Sequence, residues 1–244
     1  MSASIRSYFL TNADKMKQDL LNLDYLVLSH NHLDHTWGLD PLIKRYTEAV
    51  AENIEHKKPV IVTHPDTFLS RFLPDIPEMG SIISKDTLAR IFSLQLTREP
   101  LWLTEKLVFL GEIERHMAFE AKYPMGKVLR NGVEEDDYLP EDSALVYRAN
   151  DGLVIITGCS HAGICNIIEQ TKKVCQEERV VDIIGGFHLL NPPAEQMQGT
   201  VDYLKKLNPS CVHACHCTDL FSKIALSRAV QIGEIGSGIC LTFE

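Results

Sequence analysis

Apolar residues along the chain fall in short blocks separated by longer amphipathic stretches, the pattern of strands alternating with helices. Residues 24–29 form a brief apolar run that ends in a polar cluster, which predicts a buried strand. A helix is expected from about residue 38 to 49. Val60, Ile61 and Val62 then mark a second buried strand, stopped by Pro65. Strands are predicted near 91–96, 100–103 and 107–110, around a helical turn. Residues 115–142 are rich in charge, glycine and proline and predict a long loop, a kind of segment that often carries function.

Two strands follow, over 143–149 and 152–158. The Asn150-Asp151-Gly152 step between them is a strong hairpin signal. The remaining pattern predicts a helix at 163–177, a strand at 180–185, a helix at 194–207, a strand at 210–214, a helix at 219–229 and a last short strand at 239–243. No repeat, low-complexity tract or interdomain linker interrupts the order. The expectation is one domain over 1–244, α/β in class, with mixed sheets.

Composition changes this picture little. The chain has 244 residues, 45% hydrophobic and 23% charged, enough to bury a sizeable core without covalent staples. A formal charge of −9, with no run of Lys or Arg, argues against a nucleic-acid or anionic-membrane surface. No stretch approaches the roughly 20 apolar residues of a membrane span. The first residues lack the apolar core of a secretion signal. Seven cysteines, scattered through apolar segments, fit reduced thiols better than a disulfide framework. A cytoplasmic location is expected.

The ten histidines alter it more, because several cluster. Ser29-His30-Asn31-His32-Leu33-Asp34-His35 follows directly on a predicted strand. Histidines at i and i+2 of an extended backbone point the same way, so His30 and His32 can share one cation. Asp34 and His35 fall where the chain turns into a helix and can face a second. Imidazole with carboxylate suits Zn²⁺, Mn²⁺ or Fe²⁺ rather than Ca²⁺ or Mg²⁺. Three later strands also end in histidine: His161 after Gly158-Cys159-Ser160, His188 after Gly185-Gly186-Phe187, and His213 with His216 around Ala214-Cys215. Strand C-termini are where α/β folds assemble their sites. Any one of these histidines could be a satisfied structural residue; four such positions together point to a metal site. Cys159 and Cys217 adjoin the motifs but read more naturally as small buried side chains. Trp37 reads as packing. Asp66 and Glu112 read equally as pocket or solvated-surface residues.

The segment HNHLDHTWGL resembles the HxHxDH signature of the metallo-β-lactamase superfamily. THPDTF, FLGEIER, EDSALVY, GCSHAGICN, GGFHLL and CHCTD narrow the likeness to the branch of 7,8-dihydropterin-6-methyl-4-(β-D-ribofuranosyl)-aminobenzene-5′-phosphate synthase. It runs from about residue 8 to the C-terminus. It implies a four-layer αββα sandwich with two divalent metal ions, zinc foremost, manganese or iron as alternatives. By the same resemblance His30, His32 and His161 bind the first metal, and Asp34, His35 and His216 the second. His216 is preferred over His213, which is assigned to the core or to a supporting position. Many relatives place an acidic residue or Cys where this chain has His188; His188 is therefore a ligand, or an acid or hydrogen-bond donor facing substrate. Relatives also begin with further strands and an FDTG-like turn. Here the N-terminal strands are expected to be missing or shortened, leaving an edge that a second copy could cover as a homo-oligomer.

The implied activity is hydrolysis of a phosphoester, thioester or related small substrate, expected to be anionic, using a hydroxide generated on the metals with Asp34 orienting it and accepting its proton. The alternatives are the transferase reaction in the branch's name and a non-catalytic metal-binding or sensor role. Diiron redox relatives carry a carboxylate where His32 stands, together with an appended flavin domain; the chain has room for no such domain.

Overall fold

The computed structural model describes residues 5–244, with side chains from Tyr8 onward; the first four residues of the stretch read above as lacking a secretion signal lie outside it. In chain order the elements are α1 (Ile5–Lys15), β1 (Tyr25–Val27), α2 (Leu33–Thr36), α3 (Leu39–Ala51), β2 (Val60–Thr63), β3 (Arg71–Phe72), α4 (Lys85–Ile91), β4 (Ser93–Leu96), β5 (Leu101–Trp102) and β6 (Leu107–Phe109). They continue as β7 (Lys127–Arg130), β8 (Val133–Asp136), β9 (Ala144–Ala149), β10 (Gly152–Thr157), α5 (Ile164–Cys175), β11 (Val180–Gly186), α6 (Ala194–Leu207), β12 (Cys211–Cys215) and α7 (Leu220–Leu226).

These elements fall into two compact units, one within residues 5–97 with 125–137, the other residues 98–124 with 138–244. In the first, β1, β2 and β4 form a parallel sheet in the order β1-β2-β4. Its strands are short because each needs only a few apolar residues to reach the core. Leu28, Leu39, Leu42, Tyr46, Ile61, Leu88 and Phe92 close that core beneath α3 and α4. A chain of this kind is stabilised chiefly by removing such side chains from water, about 25 cal/mol per Å² of apolar surface. Ser84 caps α4 by accepting the Thr87 N–H.

The same unit carries a small antiparallel sheet, β3-β7-β8. This corrects the expectation of an unbroken loop over 115–142. Asn131 and Gly132 sit at φ +52° and +81° between β7 and β8, the left-handed pair of a two-residue hairpin turn. The flanking strands are too polar to show as strands by periodicity: β8 is exposed along its whole length.

The second unit holds a six-stranded mixed sheet in the order β12-β11-β10-β9-β6-β5. β9 and β10 pair antiparallel as the predicted hairpin, and β10, β11 and β12 run parallel. Val146, Leu153, Ile155, Ile183 and Val212 line one face of this sheet and pack with Ile164, Ile167 and Ile168 of α5 and Leu204 of α6. The carboxylate of Glu120 caps α5, accepting the N–H groups of Cys165 and Asn166 at 3.1 and 3.0 Å. Gly163, at φ +96°, makes room for it; a Cβ there would lie 2.3 Å from a Glu120 carboxylate oxygen.

A strand at 239–243 does not form among the described residues. The edge of β12 is instead bordered by residues 231–233: the Val212 N–H donates to the Gln231 carbonyl and the Gly233 N–H to the Val212 carbonyl. The apolar residues of the tail therefore have no free strand edge there to join.

Candidate metal centre

In the first unit β1 ends at Val27, and the chain stays extended until His32 opens α2 with φ −58° and ψ 152°. The N–H groups of His35 and Thr36 then donate to the His32 carbonyl, turning Asp34 and His35 onto the first helical turn. The rings of His30 and His32 lie 4.9 Å apart between centroids, and those of His30 and His35 4.2 Å apart. A donor atom of Asp34 lies within 4.8 Å of one on His35. His30, His32, Asp34 and His35 thus gather in one short turn, as the HxHxDH spacing anticipates.

Asn31 fixes that turn. It is completely buried; its amide donates to the Leu69 carbonyl and its side-chain oxygen accepts the Ser81 N–H, each at 2.5 Å. The Trp37 indole donates to the Gly80 carbonyl at 2.7 Å, so this aromatic anchors the loop rather than facing substrate. Burial holds the His32 imidazole well below its usual range, at about 4, against the raising influence of Asp34; neutral imidazole is the form that ligates metals. Close by in the same unit, buried Arg71 pairs with Asp137 at 2.7 Å and donates to the carbonyls of Asp66 and Leu69. Asp66 is buried and accepts from Arg130 at 2.9 Å, a structural tie rather than a solvated-surface group.

In the second unit three strand ends contribute. Ser160 turns sharply at φ +60° and its hydroxyl donates to the Gly186 carbonyl at 2.6 Å. This presents His161 beside His188, ring centroids 4.3 Å apart. Ser160, His188 (φ +51°) and His216 (φ +51°) all occupy left-handed backbone. Such conformations outside glycine cost of order 1–3 kcal/mol each and concentrate at functional sites. The Cys217 thiol donates to the Cys159 carbonyl at 3.3 Å and accepts the His188 N–H at 3.3 Å, tying the three ends together. Gly186 is required there, since a Cβ would meet Cys217 Sγ at 2.5 Å.

Donor atoms of Cys159 lie within 4.8 Å of those of His161 and of His216. Cys159, ranked below the histidines on sequence grounds, thus places a thiol beside both; its position directly between the strand and His161 is the signal for it. Asp142, inside the EDSALVY segment, is another residue passed over on those grounds. Its carboxylate accepts the Ala162 N–H at 2.8 Å, next to His161, and burial pushes it up to about 7. His213 lies apart from these strand-end residues, paired with Asp182 at 2.8 Å. Glu112 is half-exposed and bonded to Arg98.

The donors suit a divalent ion. Each unit offers imidazoles with an acidic or thiol neighbour, and His188 Nδ1 is buried with no hydrogen-bond partner among the described residues, a position that a ligand or substrate atom would satisfy.

A fold of this α/β kind with HxHxDH after its first strand defines a class: the chain belongs to the metallo-β-lactamase superfamily, whose profile matches residues 3–119. More particularly, it is similar to the 7,8-dihydropterin-6-methyl-4-(β-D-ribofuranosyl)-aminobenzene-5′-phosphate synthase of Methanocaldococcus jannaschii, 32% identical over 206 residues that span 81% of this chain and 67% of that protein. An uncharacterized protein of the same organism is 27% identical over 205 residues, 84% of this chain and 73% of its own. Among solved structures, Tm1679, described as a metal-dependent hydrolase of the β-lactamase superfamily, matches with a TM-score of 0.80 at 25% identity, over 97% of this chain and 85% of that one. Among the described residues no helix is long and apolar enough to cross a membrane.

Proposed function

We propose that this protein is a metal-dependent hydrolase of a small, anionic phosphoester, thioester or related substrate. The observation that carries this reading is the turn in which buried His30 and His32 and part-buried His35 pack ring against ring beside exposed Asp34. In this reading His30, His32, Asp34 and His35 of the first unit and His161 and His216 of the second are the ligands for divalent cations, zinc in preference to manganese or iron. Such cations, when bound, supply Lewis acidity and lower the pKa of a coordinated water from about 15.7 toward about 7. Asp34 orients the attacking water and accepts its proton. His188 donates a hydrogen bond to the substrate oxygen that gains charge. Asn31 and Ser160 hold the two sets of ligands in place. Seven free thiols favour a reducing, cytoplasmic setting.

A second reading has specific support: the 32% identity to the methanogen synthase favours a transferase that joins a pterin to an aminobenzene ribofuranosyl phosphate. Both readings use the same metals, so one experiment separates them. Purified protein is analysed for metal and presented with phosphomonoesters, phosphodiesters, thioesters and a dihydropterin pyrophosphate paired with the aminobenzene acceptor. Metal-dependent turnover of simple esters supports the hydrolase, and turnover of the pterin pair alone supports the transferase. Protein that binds two equivalents of metal and turns over nothing in the panel would return the non-catalytic, metal-sensing role. His32→Ala is expected to lose metal and activity while keeping its circular dichroism.

A further inference from the structure

A cluster outside the strand-end residues combines a thiol, an imidazole and a carboxylate. β11 and β12 are parallel and in register, Asp182 opposite Cys211 and Ile184 opposite His213. Alternation along the strands puts Asp182, Cys211 and His213 on one face, while Ile183 and Val212 point to the buried core on the other. The Asp182 carboxylate lies 2.8 and 2.9 Å from His213 Nδ1 through its two oxygens. That fixes the tautomer: Nδ1 carries the proton and Nε2 presents its lone pair. Nε2 in turn faces Cys211 Sγ at 3.9 Å. One donor atom from each of the three residues lies within 4.8 Å of those of the other two.

We propose that Cys211 Sγ and His213 Nε2 bind a thiophilic divalent cation of the zinc type, with Asp182 holding the imidazole and supplying charge beside it. Three features favour this over a simple buried ion pair. The donor set is the one zinc selects: a thiolate and an imidazole oriented through its second nitrogen by a carboxylate. The charges balance, because a thiolate and a carboxylate offset a divalent ion while the histidine stays neutral; on binding, Cys211 releases its proton to solvent. No side chain at position 233 covers the donors: a Cβ on Gly233 would meet His213 Nε2 at 2.2 Å and Cys211 Sγ at 3.0 Å. Cys211 is only partly buried, which leaves a path for the ion and for water to complete its coordination. Bound there, the cation ties the edge strand β12 to its neighbour β11, at the opposite end of β12 from His216.

The test is titration of the full chain with Co²⁺, read by the sulfur-to-cobalt charge-transfer absorption and by the number of ions bound. Cys211→Ser is expected to remove one bound ion and the corresponding part of that absorption. Asp182→Asn is expected to weaken the same ion's affinity about 10–100-fold. Equal stoichiometry and equal charge-transfer absorption in wild type and Cys211→Ser overturn the proposal. A measurement on the unmutated protein guards against misfolded variants: Zn²⁺ should slow iodoacetamide labelling of Cys211, located by peptide mass spectrometry, relative to exposed Cys240. Labelling of Cys211 that Zn²⁺ leaves unchanged also overturns it. Neither readout depends on turnover, so failure here leaves the hydrolase reading untouched.

Discussion

The side-chain oxygen of Asn31 accepts the backbone N–H of Ser81 at 2.5 Å, across fifty positions of sequence. Through its amide the same side chain holds the Leu69 carbonyl, so one buried residue fixes two loops against the turn between His30 and Asp34. Asn31→Ala therefore removes two part-buried hydrogen bonds at once. It is expected to cost about 1–3 kcal/mol in urea unfolding. Because the flanking ligands lose their support, divalent-metal affinity should fall about 10–100-fold. Gly80→Ala should act in the same direction, since a Cβ there would lie 2.5 Å from the Asn31 amide nitrogen. Unchanged metal affinity in both variants would remove Asn31 from the support of the centre.

Arg71 and Asp137 form a buried ion pair within the first unit, at 1% and 2% side-chain exposure. Breaking such a pair from one side strands a charge where water cannot reach it. Asp137→Asn is expected to destabilise the protein by about 3–5 kcal/mol. Replacing both partners with apolar residues of matching volume should cost much less. A double-mutant cycle in chemical denaturation measures the difference. A loss below about 1 kcal/mol for the single variant would mean that the carbonyls of Asp66 and Leu69 suffice to hold the guanidinium.

What the sequence revealed depended on how local its signals were. The strands around Leu26, Ile61 and Ile155 and the helices at α3, α5 and α6 stand out because their apolar spacing is set by their own burial. The HxHxDH turn was legible because four donors lie within six residues. The β7–β8 hairpin was hidden because only Val128, Leu129 and Val133 of its strand residues are apolar and they do not alternate, leaving Asn131-Gly132 as the clearest sign of it. Cys159 and Asp142 were ranked low or passed over because their importance comes from neighbours distant in sequence: Cys159 from His216, and Asp142 from the Ala162 N–H. The pairing of His213 with Asp182 likewise depends on the register between two strands, which no spacing within either strand reports.

Glu120 gives a prediction in pH. Burial raises its carboxyl above the ordinary 4.5, only partly offset by the N–H groups of Cys165 and Asn166. In the folded state it therefore keeps a proton that the unfolded chain has released. Its contribution is fully present below pH 4.5 and is lost as pH rises toward the folded value, at a slope of up to about 1.4 kcal/mol per pH unit. Glu120→Gln should flatten that part of the stability profile. It should also weaken the cap on α5, because a carboxamide offers one acceptor oxygen where the carboxylate uses two. Unfolding curves from pH 4 to 8 provide the comparison; parallel profiles for the two proteins would contradict it.

His188 separates a ligand from a substrate-facing donor. Its backbone N–H donates to Cys217 Sγ, a bond that survives any change of side chain, so His188→Ala should keep the local turn. Its Nδ1 is buried without a hydrogen bond among the described residues, and its ring leans on His161. In the role proposed here the imidazole acts on the substrate, so His188→Ala should lower kcat about 10²–10⁴-fold while the bound metal content stays the same. His188→Asp is the informative companion, since aspartate tolerates the left-handed backbone at φ +51°. A carboxylate there would draw a metal more strongly and donate less well, so metal affinity should rise without recovery of kcat. Should His188→Ala instead lose about one equivalent of metal, the imidazole is a ligand, and the donor to the substrate must be sought elsewhere, with buried Asp142, bonded to the Ala162 N–H next to His161, the next candidate.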